Sequence, residues 1–295
     1  MNPCPGEYGI MHDERPRWKS PLEWWFIQGQ FHGQGSSRRF FLLSLFRHRL
    51  STASGHGFSA LISTVAEGEA RSSNLCIVDR SLVRHMADLI GTHRMGGLDQ
   101  HLAGAIRNLL TEQGPPDPIR QTSTNARTER CRLNIRWSGI AISQTRIGLK
   151  VEFPDPFSGL PCRFMLRPAA AGLPIRFPAS VRLVAGTMAY NCYPRLELSG
   201  RRGGGRVKGS AWFDHQWGRL DWLFQKGQAG PRILGWDWFG INLKDGTDLV
   251  VMIHRDMRRR KEIGRHATIR FPGGRVVTTD RIEIKSLENW TSART

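Results

Sequence analysis

Several things are missing from this 295-residue chain, and each absence removes a class of function. No run of about 18 apolar residues occurs, which excludes a membrane-crossing helix. Residues 1–20 lack the apolar stretch of a secretory leader, so a cytoplasmic chain is expected. The five cysteines, Cys4, Cys76, Cys131, Cys162 and Cys192, are scattered, and none forms a Cys-x-x-Cys pair. A zinc site or disulfide framework is therefore not expected; buried, reduced thiols are. There is no Gly-x-Ser-x-Gly elbow for a nucleophilic serine, no Walker loop or dinucleotide fingerprint, and no His-x-x-x-His pair for a metal. No cofactor and no metal are expected. Acidic residues are also scarce: 25 Asp and Glu stand against 43 Lys and Arg, for a net charge of +18. Such an excess favours nucleic acid, anionic membrane surfaces or acidic partners. The charge is dispersed, however, and no nucleic-acid-binding motif accompanies it, so nucleic acid is an unlikely partner. Peripheral contact with an anionic membrane, where an apolar substrate would reside, fits better.

What is present is mostly β pattern. Alternating or dense apolar runs occupy 25–31, 40–46, 58–66, 133–137, 147–153, 162–166, 181–189, 196–199, 206–213, 238–243, 248–253 and 267–271. Gly, Pro, Asn and Asp punctuate them at hairpin spacing. Many short antiparallel strands with such turns indicate sandwiches or barrels. One region differs. Leu75, Val78, Leu82, Met86 and Leu89, then Leu98, Leu102, Ala105 and Leu109, recur at three and four residues, with Gly96-Gly97 between. A helical insertion is expected over 75–113, either a lid over a pocket or else a packing appendage or oligomer contact. There is an internal echo as well: Glu23-Trp24-Trp25-Phe26 and Trp236-Asp237-Trp238-Phe239 each open a hairpin.

Chemistry concentrates in two tryptophan clusters. Ala211-Trp212-Phe213-Asp214-His215-Gln216-Trp217-Gly218 is one and Gly235-Trp236-Asp237-Trp238-Phe239-Gly240 the other. Each embeds a carboxyl group among large rings. Such surroundings desolvate the charged form, raise the pKa and keep a proton on the acid at neutral pH. Asp214 and Asp237 are the acid candidates, with His215 beside the first. Trp25, Trp217, Trp236 and Trp238 are candidates for an aromatic wall that stabilises a cation, and Tyr190 and Tyr193 for polar contacts. On a continuing strand, Asp214 and His215 point to opposite faces; a turn starting at Asp214 would bring both to one cavity. The plainer reading of both aspartates is that they cap backbone N–H groups at strand ends.

These residues resemble the lipocalin-like family that includes carotenoid 1,2-hydratase (hydroxyneurosporene synthase), AttH-like proteins and related fungal hydratases and cyclases. The matching stretches are 23–26 with Gly29, 40–47, 190–198, 210–218, 235–255 and Trp290-Thr291-Ser292. The resemblance implies two consecutive lipocalin-like antiparallel β-barrel or sandwich domains. After an N-terminal extension of residues 1–20, the first would span 21–232 and the second would begin at 233. It would stop short at 295, because relatives continue beyond the equivalent of Trp290. The implied activity is acid-initiated addition of water to, or rearrangement of, a C=C bond in an apolar terpenoid or polyene. Two other readings stand beside it: a non-catalytic carrier of a hydrophobic ligand, and a truncated, inactive homologue.

Overall fold

The computed structural model describes residues 11, 13–50, 55–91, 100–114, 119–177, 188–218, 234–256, 261–285 and 287–288. In chain order its elements are β1 (Leu22–Gly33), β2 (Arg39–Arg49), β3 (His56–Ala66), β4 (Ser73–Asp79), α1 (Arg80–Gly91), α2 (Gln100–Asn108) with a π-helical turn at Leu109–Gln113, β5 (Ile119–Thr122), β6 (Arg127–Thr128), β7 (Asn134–Trp137), β8 (Ile140–Thr145), β9 (Gly148–Pro154), β10 (Pro161–Pro168), β11 (Leu173–Ile175), β12 (Met188–Arg202), β13 (Gly205–Gly218), β14 (Leu234–Asn242), β15 (Asp248–Asp256), β16 (Lys261–Arg270) and β17 (Val276–Thr279). The fold is mainly β, as the strand pattern indicates. The expected strand over 181–189 lies largely outside the described residues, as do Trp290 and its neighbours.

Strands β1 to β13 form one large sheet in the order β5-β4-β3-β2-β1-β13-β12-β10-β9-β8-β7-β6, with β11 added against β12. Its two ends curl towards each other. Phe58 on β3 lies 5.8 Å from Trp137 on β7, and the Thr64 hydroxyl donates to Asp155 at 2.9 Å. Strand alternation fills the enclosed space. Trp25, Ile27 and Phe31 of β1 face inward and are essentially fully buried. Phe31, Phe41, Phe153 and Phe164 meet in a cluster with centroids 5.2–6.0 Å apart. The interior of this curl is thus a packed core. Close approach of β1 and β13 depends on Gly209, where a Cβ would lie 1.9 Å from the carbonyl oxygen of Gln30.

The remaining strands form a second sheet, β14-β15-β16-β17. It lies against the outer face of β12 and β13, and buried polar side chains fasten it there. Asp248, fully buried, pairs with Arg270 at 2.5 Å and with Arg195 at 2.8 Å. Asn242 donates to Asp248 at 2.6 Å and to the Pro194 carbonyl at 3.1 Å. Pro194 and Arg195 sit where the β12–β13 register shifts, between Tyr193 and Leu196. The bulge re-aims Arg195 out of the sheet and onto its partner.

Two sequence expectations need correction. The helical insertion begins at Arg80 rather than near 75, because Leu75 to Val78 form strand β4 and pair with β3. Strands β4 and β5 are parallel, so a crossover is obligatory, and α1 and α2 supply it. The buried stripe of α1 is Leu82, Val83, Ala87 and Ile90, with Met86 and Leu89 only half-buried, and on α2 Ala103 is buried while Ala105 is exposed. Helix α1 packs on β3 and β4. Among the cysteines, Cys162 and Cys192 are buried free thiols and Cys76 a half-buried one, but Cys131 is disulfide-bonded. No described helix is long and apolar enough to cross a membrane.

Because the curl is close-packed, Phe164→Ala should lower unfolding free energy by about 3–5 kcal/mol. Urea unfolding followed by tryptophan fluorescence checks this. A loss below about 1 kcal/mol would show that the interior adjusts around the missing ring.

Candidate functional site

Strand β13 runs unbroken from Gly205 to Gly218, and its six residues from Ala211 to Gln216 are all buried. One face looks into the curl and the other towards the second sheet. Asp214 and His215 therefore enter different interiors, as alternation on a continuing strand requires.

His215 faces the curl. Its Nδ1 lies 2.6 Å from Glu14 and its Nε2 2.7 Å from Glu23, and all three side chains are fully buried. Glu23 also pairs with fully buried Arg47 at 2.7 Å. Glu14 accepts hydrogen bonds from Asn191 and from the Tyr193 hydroxyl, each at 3.0 Å. The imidazole stacks on Trp25 at 5.1 Å and lies 4.6 Å from Trp217. Burial alone would lower the His215 pKa, yet the hydrogen bonds and charges of Glu14 and Glu23 raise it. His215 is thus a buried imidazolium clamped between acids. It ties the segment before β1, which carries Glu14 and Arg17, into the end of the curl; the Arg17 backbone N–H donates to Glu23 at 2.8 Å.

Asp214 faces the other way, into a packed apolar layer that fills the chamber between the sheets. Its floor is Tyr190, Cys192, Trp212, Leu173 and Ile175, and its roof includes Val250, Met252 and Trp238. The Trp212 indole N–H donates to Asp214 at 2.7 Å, and Tyr190 and Cys192 also hydrogen-bond to it. Trp238 in turn donates to the Tyr190 hydroxyl at 3.1 Å. No cationic side chain contributes to the shift at Asp214, so desolvation outweighs the three donors and lifts its pKa to about 7. Tyr190 is pushed well above its ordinary value, first by burial and then by the Asp214 charge, and stays a hydroxyl donor. Trp212 and Trp238 meet edge to face at 5.5 Å, and Phe26 packs on Trp238 at 5.6 Å. Gly240 makes this fit, since a Cβ there would lie 2.6 Å from the Trp238 ring.

The chamber continues past Phe177. That ring lies 6.4 Å from Tyr190, 6.0 Å from His254 and 5.5 Å from His266. The two imidazoles stack at 5.6 Å. Burial lowers both to about 4, so they are neutral. Along the outer face of β1 and β13, on the far side of Trp212, runs a groove of about 650 Å³, lined by residues such as Gln28, Gln30, Phe40, Ser210 and Trp212.

The other sequence candidates fall elsewhere. Asp237 is about half-exposed and paired with Arg255 at 2.6 Å, because alternation turns it away from Trp238. Trp236 shares the face of Trp238 but is 47% exposed. Trp25, Trp217 and Tyr193 belong to the His215 side, and Tyr190 and Trp238 to the Asp214 side. Sequence reasoning missed Trp212, Cys192, Phe177, His254, His266 and Val250 on one side and Glu14, Glu23 and Arg47 on the other. A usable signal existed: Tyr190-x-Cys192 and Trp212-x-Asp214 are same-face pairs on strands. Among the described residues no cluster of three or more His, Cys, Asp or Glu has metal-binding geometry.

Residues 183–295 match the AttH-like family model. That stretch carries strands β12 to β17, hence Tyr190, Asp214 and both histidines. The fold of the whole chain is like that of a Nitrosomonas europaea protein assigned to AttH, with a TM-score of 0.66 and 18% identity over 100% of this chain and 80% of that one. It is also like that of kievitone hydratase from Nectria haematococca, with a TM-score of 0.51 and 11% identity over 92% of this chain and 68% of that one. At these identities the likeness establishes the lipocalin-like fold. None of the curated proteins matches the chain by sequence.

The two buried groups make a prediction about pH. His215 is held in its charged form, so its stabilisation is complete below the ordinary imidazole value of about 6.5 and is lost as pH rises through its raised value. Asp214 is held in its neutral form, so it too favours the fold below about pH 4 and weakens it as pH rises through its value of about 7. Asp214→Asn should therefore match the parent protein at pH 4.5 and exceed its Tm at pH 8. His215→Gln should cost about 3–5 kcal/mol at pH 6, because it leaves two acids buried without their cation. Thermal melts from pH 4.5 to 8.5 check both; an Asp214→Asn curve parallel to the parent's would mean that Asp214 is ionised throughout.

Proposed function

We propose that the chain is a hydro-lyase-type enzyme that protonates an isolated C=C bond of an apolar terpenoid or polyene. Water is then added to the resulting cation, or the cation rearranges. The observation that carries this reading is Asp214: a fully enclosed carboxyl group whose pKa is lifted to about 7 among aromatic side chains. Protonation of an unactivated alkene needs an acid that is still protonated at neutral pH, next to a low-dielectric space. When Asp214 gives its proton to carbon, the carboxylate left behind is met by the Trp212, Tyr190 and Cys192 donors. Trp212 and Trp238 offer ring surfaces to the cation, worth about 0.5–2 kcal/mol each when desolvated. The 650 Å³ groove beyond Trp212 is of a size that holds a small-molecule chain. A net charge of +18 supports delivery of such a substrate from an anionic membrane surface.

In this reading His215 is not an acid or base of the reaction, since both its nitrogens are engaged by Glu14 and Glu23 on the other side of the sheet. Asp237, half-exposed beside Arg255, has no part either. The named activity of the kievitone hydratase relative supports a hydratase type without specifying the substrate. A carrier of hydrophobic ligands is the second reading, favoured by the same groove.

Mass spectrometry of lipids from a polyene-producing host that expresses the chain separates these readings. A product heavier by one water is expected, or one of unchanged mass if the cation rearranges. Asp214→Asn should reduce either by at least about a hundredfold, the lower end of what a positioned acid contributes. Unaltered lipids from folded protein would favour the carrier, and full turnover by Asp214→Asn would remove Asp214 from the chemistry.

A further inference from the structure

One register line across the large sheet is made almost entirely of arginine. It runs Arg127, Arg136, Ala141, Glu152, Arg163, Arg201, Arg206, each directly opposite the next on β6, β7, β8, β9, β10, β12 and β13. Its arginines are all exposed on the outer face, beyond the stretch of β13 from Ala211 to Gln216 that is buried on both sides. Glu152 is the one acid of the line, and Arg163 holds it at 2.9 Å. Arg163, Arg201 and Arg206 follow one another on three adjacent strands. Like charges directly opposite, with Cβ atoms roughly 5 Å apart, are destabilising, so the fold alone gives no reason for the row. The turns at the same end are apolar at their tip. Between β9 and β10, Phe157 is 67% exposed and Leu160 44%. Their loop is held from inside by Asp155, which accepts from the Phe157 backbone N–H and the Ser158 hydroxyl, each at 3.0 Å, and pairs with Arg202 at 2.6 Å. Arg39 lies over the Phe157 ring, 5.2 Å from its centroid. Leu160 abuts Gly203 in the β12–β13 turn, where a Cβ would lie 3.2 Å from it. Of the other acids at this end, Glu67 lies 3.7 Å from Arg38 and Glu69 shares its turn, so the end stays strongly cationic.

We propose that this end of the curl docks on an anionic lipid bilayer. Phe157 and Leu160 enter the boundary between headgroups and acyl chains. The arginine row behind them meets the lipid phosphates, which accept from guanidinium groups and relieve the repulsion along the row. Nucleic acid would answer the arginines but would leave Phe157 and Leu160 in water; a bilayer satisfies both. The proposal deepens the membrane-delivery part of the proposed function, and rests on that reading for the cargo but not for the binding. Strand β13 links the two. Arg206, Lys208, Ser210 and Trp212 alternate along one of its faces, and Ser210 and Trp212 line the 650 Å³ groove. From Arg206 to Ser210 the strand advances about 13 Å. A bilayer that holds the arginine row therefore lies a short step from the groove, and an apolar molecule leaving the lipid has that distance to travel.

Vesicle flotation with the full chain tests this. The parent should bind phosphatidylcholine vesicles carrying about 30% phosphatidylglycerol at least about tenfold more tightly than phosphatidylcholine alone, and less tightly as salt rises from about 0.1 to 0.5 M. Arg201→Gln with Arg206→Gln should weaken binding to the anionic vesicles about thirtyfold, the effect of two cations at such a surface. Its Tm should equal or exceed the parent's, because the repulsion is gone. Phe157→Ser with Leu160→Ser should weaken binding at least about tenfold through lost apolar contact, with Tm unchanged. Arg107→Gln with Lys261→Gln removes the same charge from α2 and β16, and should change binding by less than about threefold. Equal weakening by the two charge variants would show an effect of net charge rather than of this face, and overturns the proposal. Equal binding to vesicles with and without the anionic lipid, no flotation, or indifference to Phe157→Ser with Leu160→Ser also overturns it. A short DNA duplex held through Arg201 and Arg206 more tightly than the vesicles are would assign the row to nucleic acid instead. None of these measurements needs turnover. Flotation as expected, with unaltered lipids in the producing host, would keep the docking face and remove the proposed reaction.

Discussion

Six consecutive buried residues on β13 impose the constraint from which the rest of the molecule follows. A strand ordinarily buries one face and wets the other. Burial of both means that something must be packed on each side, and here the curl of the large sheet occupies one side and the second sheet the other. Neighbouring residues then become members of different interiors. Ala211, Phe213 and His215 are part of the curl; Trp212 and Asp214 are part of the intersheet chamber. A one-residue slip of β13 against β1 or β12 would exchange the two sets, placing an imidazolium in the chamber and an isolated acid among the ion pairs. Gly209 at the crossing with Gln30, and the register shift after Tyr193, fix the strand against such a slip.

The two interiors treat charge in opposite ways. On the curl side Glu14, His215, Glu23 and Arg47 form a chain of alternating sign, with contacts of 2.6–2.8 Å and no exposed member. Every charge there meets its complement, as burial of ions demands. In the chamber Asp214 has donors but no cation, and His254 Nε2 and both ring nitrogens of His266 have no hydrogen-bond partner among the described residues. The same desolvation that is neutralised on one side is left to shift pKa values on the other. Asp248 and its two arginines repeat the compensated pattern at the chamber's edge, where the second sheet is fastened. Full ion pairing thus accompanies structural attachment.

Much of the architecture was legible because period-two patterning is a local property. The strands, the hairpin turns and the fate of Asp214 and His215 on opposite faces all follow from reading residues in alternation. The start of the helical insertion is ambiguous in sequence because Leu75 and Val78 satisfy a helical spacing and a strand equally; only pairing with β3 decides between them. Asp237 was the converse failure. Its tryptophan neighbours in sequence are its opposites in space, so flanking rings gave no information about its surroundings, and Arg255 across the hairpin claims it. Glu14 and Glu23 were out of reach for another reason. Their partner His215 is about two hundred residues away, separations of 201 and 192, and no local pattern marks a residue for a contact at that range.

The histidine pair shows how far composition can mislead about a basic chain. A net charge of +18 suggests that the important ionisable groups are the arginines at the surface. Yet the ionisable groups of the layer between the sheets are an acid that keeps its proton to about pH 7 and two bases that stay free of theirs down to about pH 4. These displacements run in opposite directions for acid and base, and desolvation causes both, because each group is held in whichever form carries no charge. At neutral pH the chamber therefore holds a proton donor and proton acceptors at once, without an ion pair forming to cancel them. In water an aspartate and a histidine would exchange the proton and lose that difference. Separation onto two sheets, with Phe177 and Tyr190 between, keeps the protonated acid apart from the two neutral imidazoles.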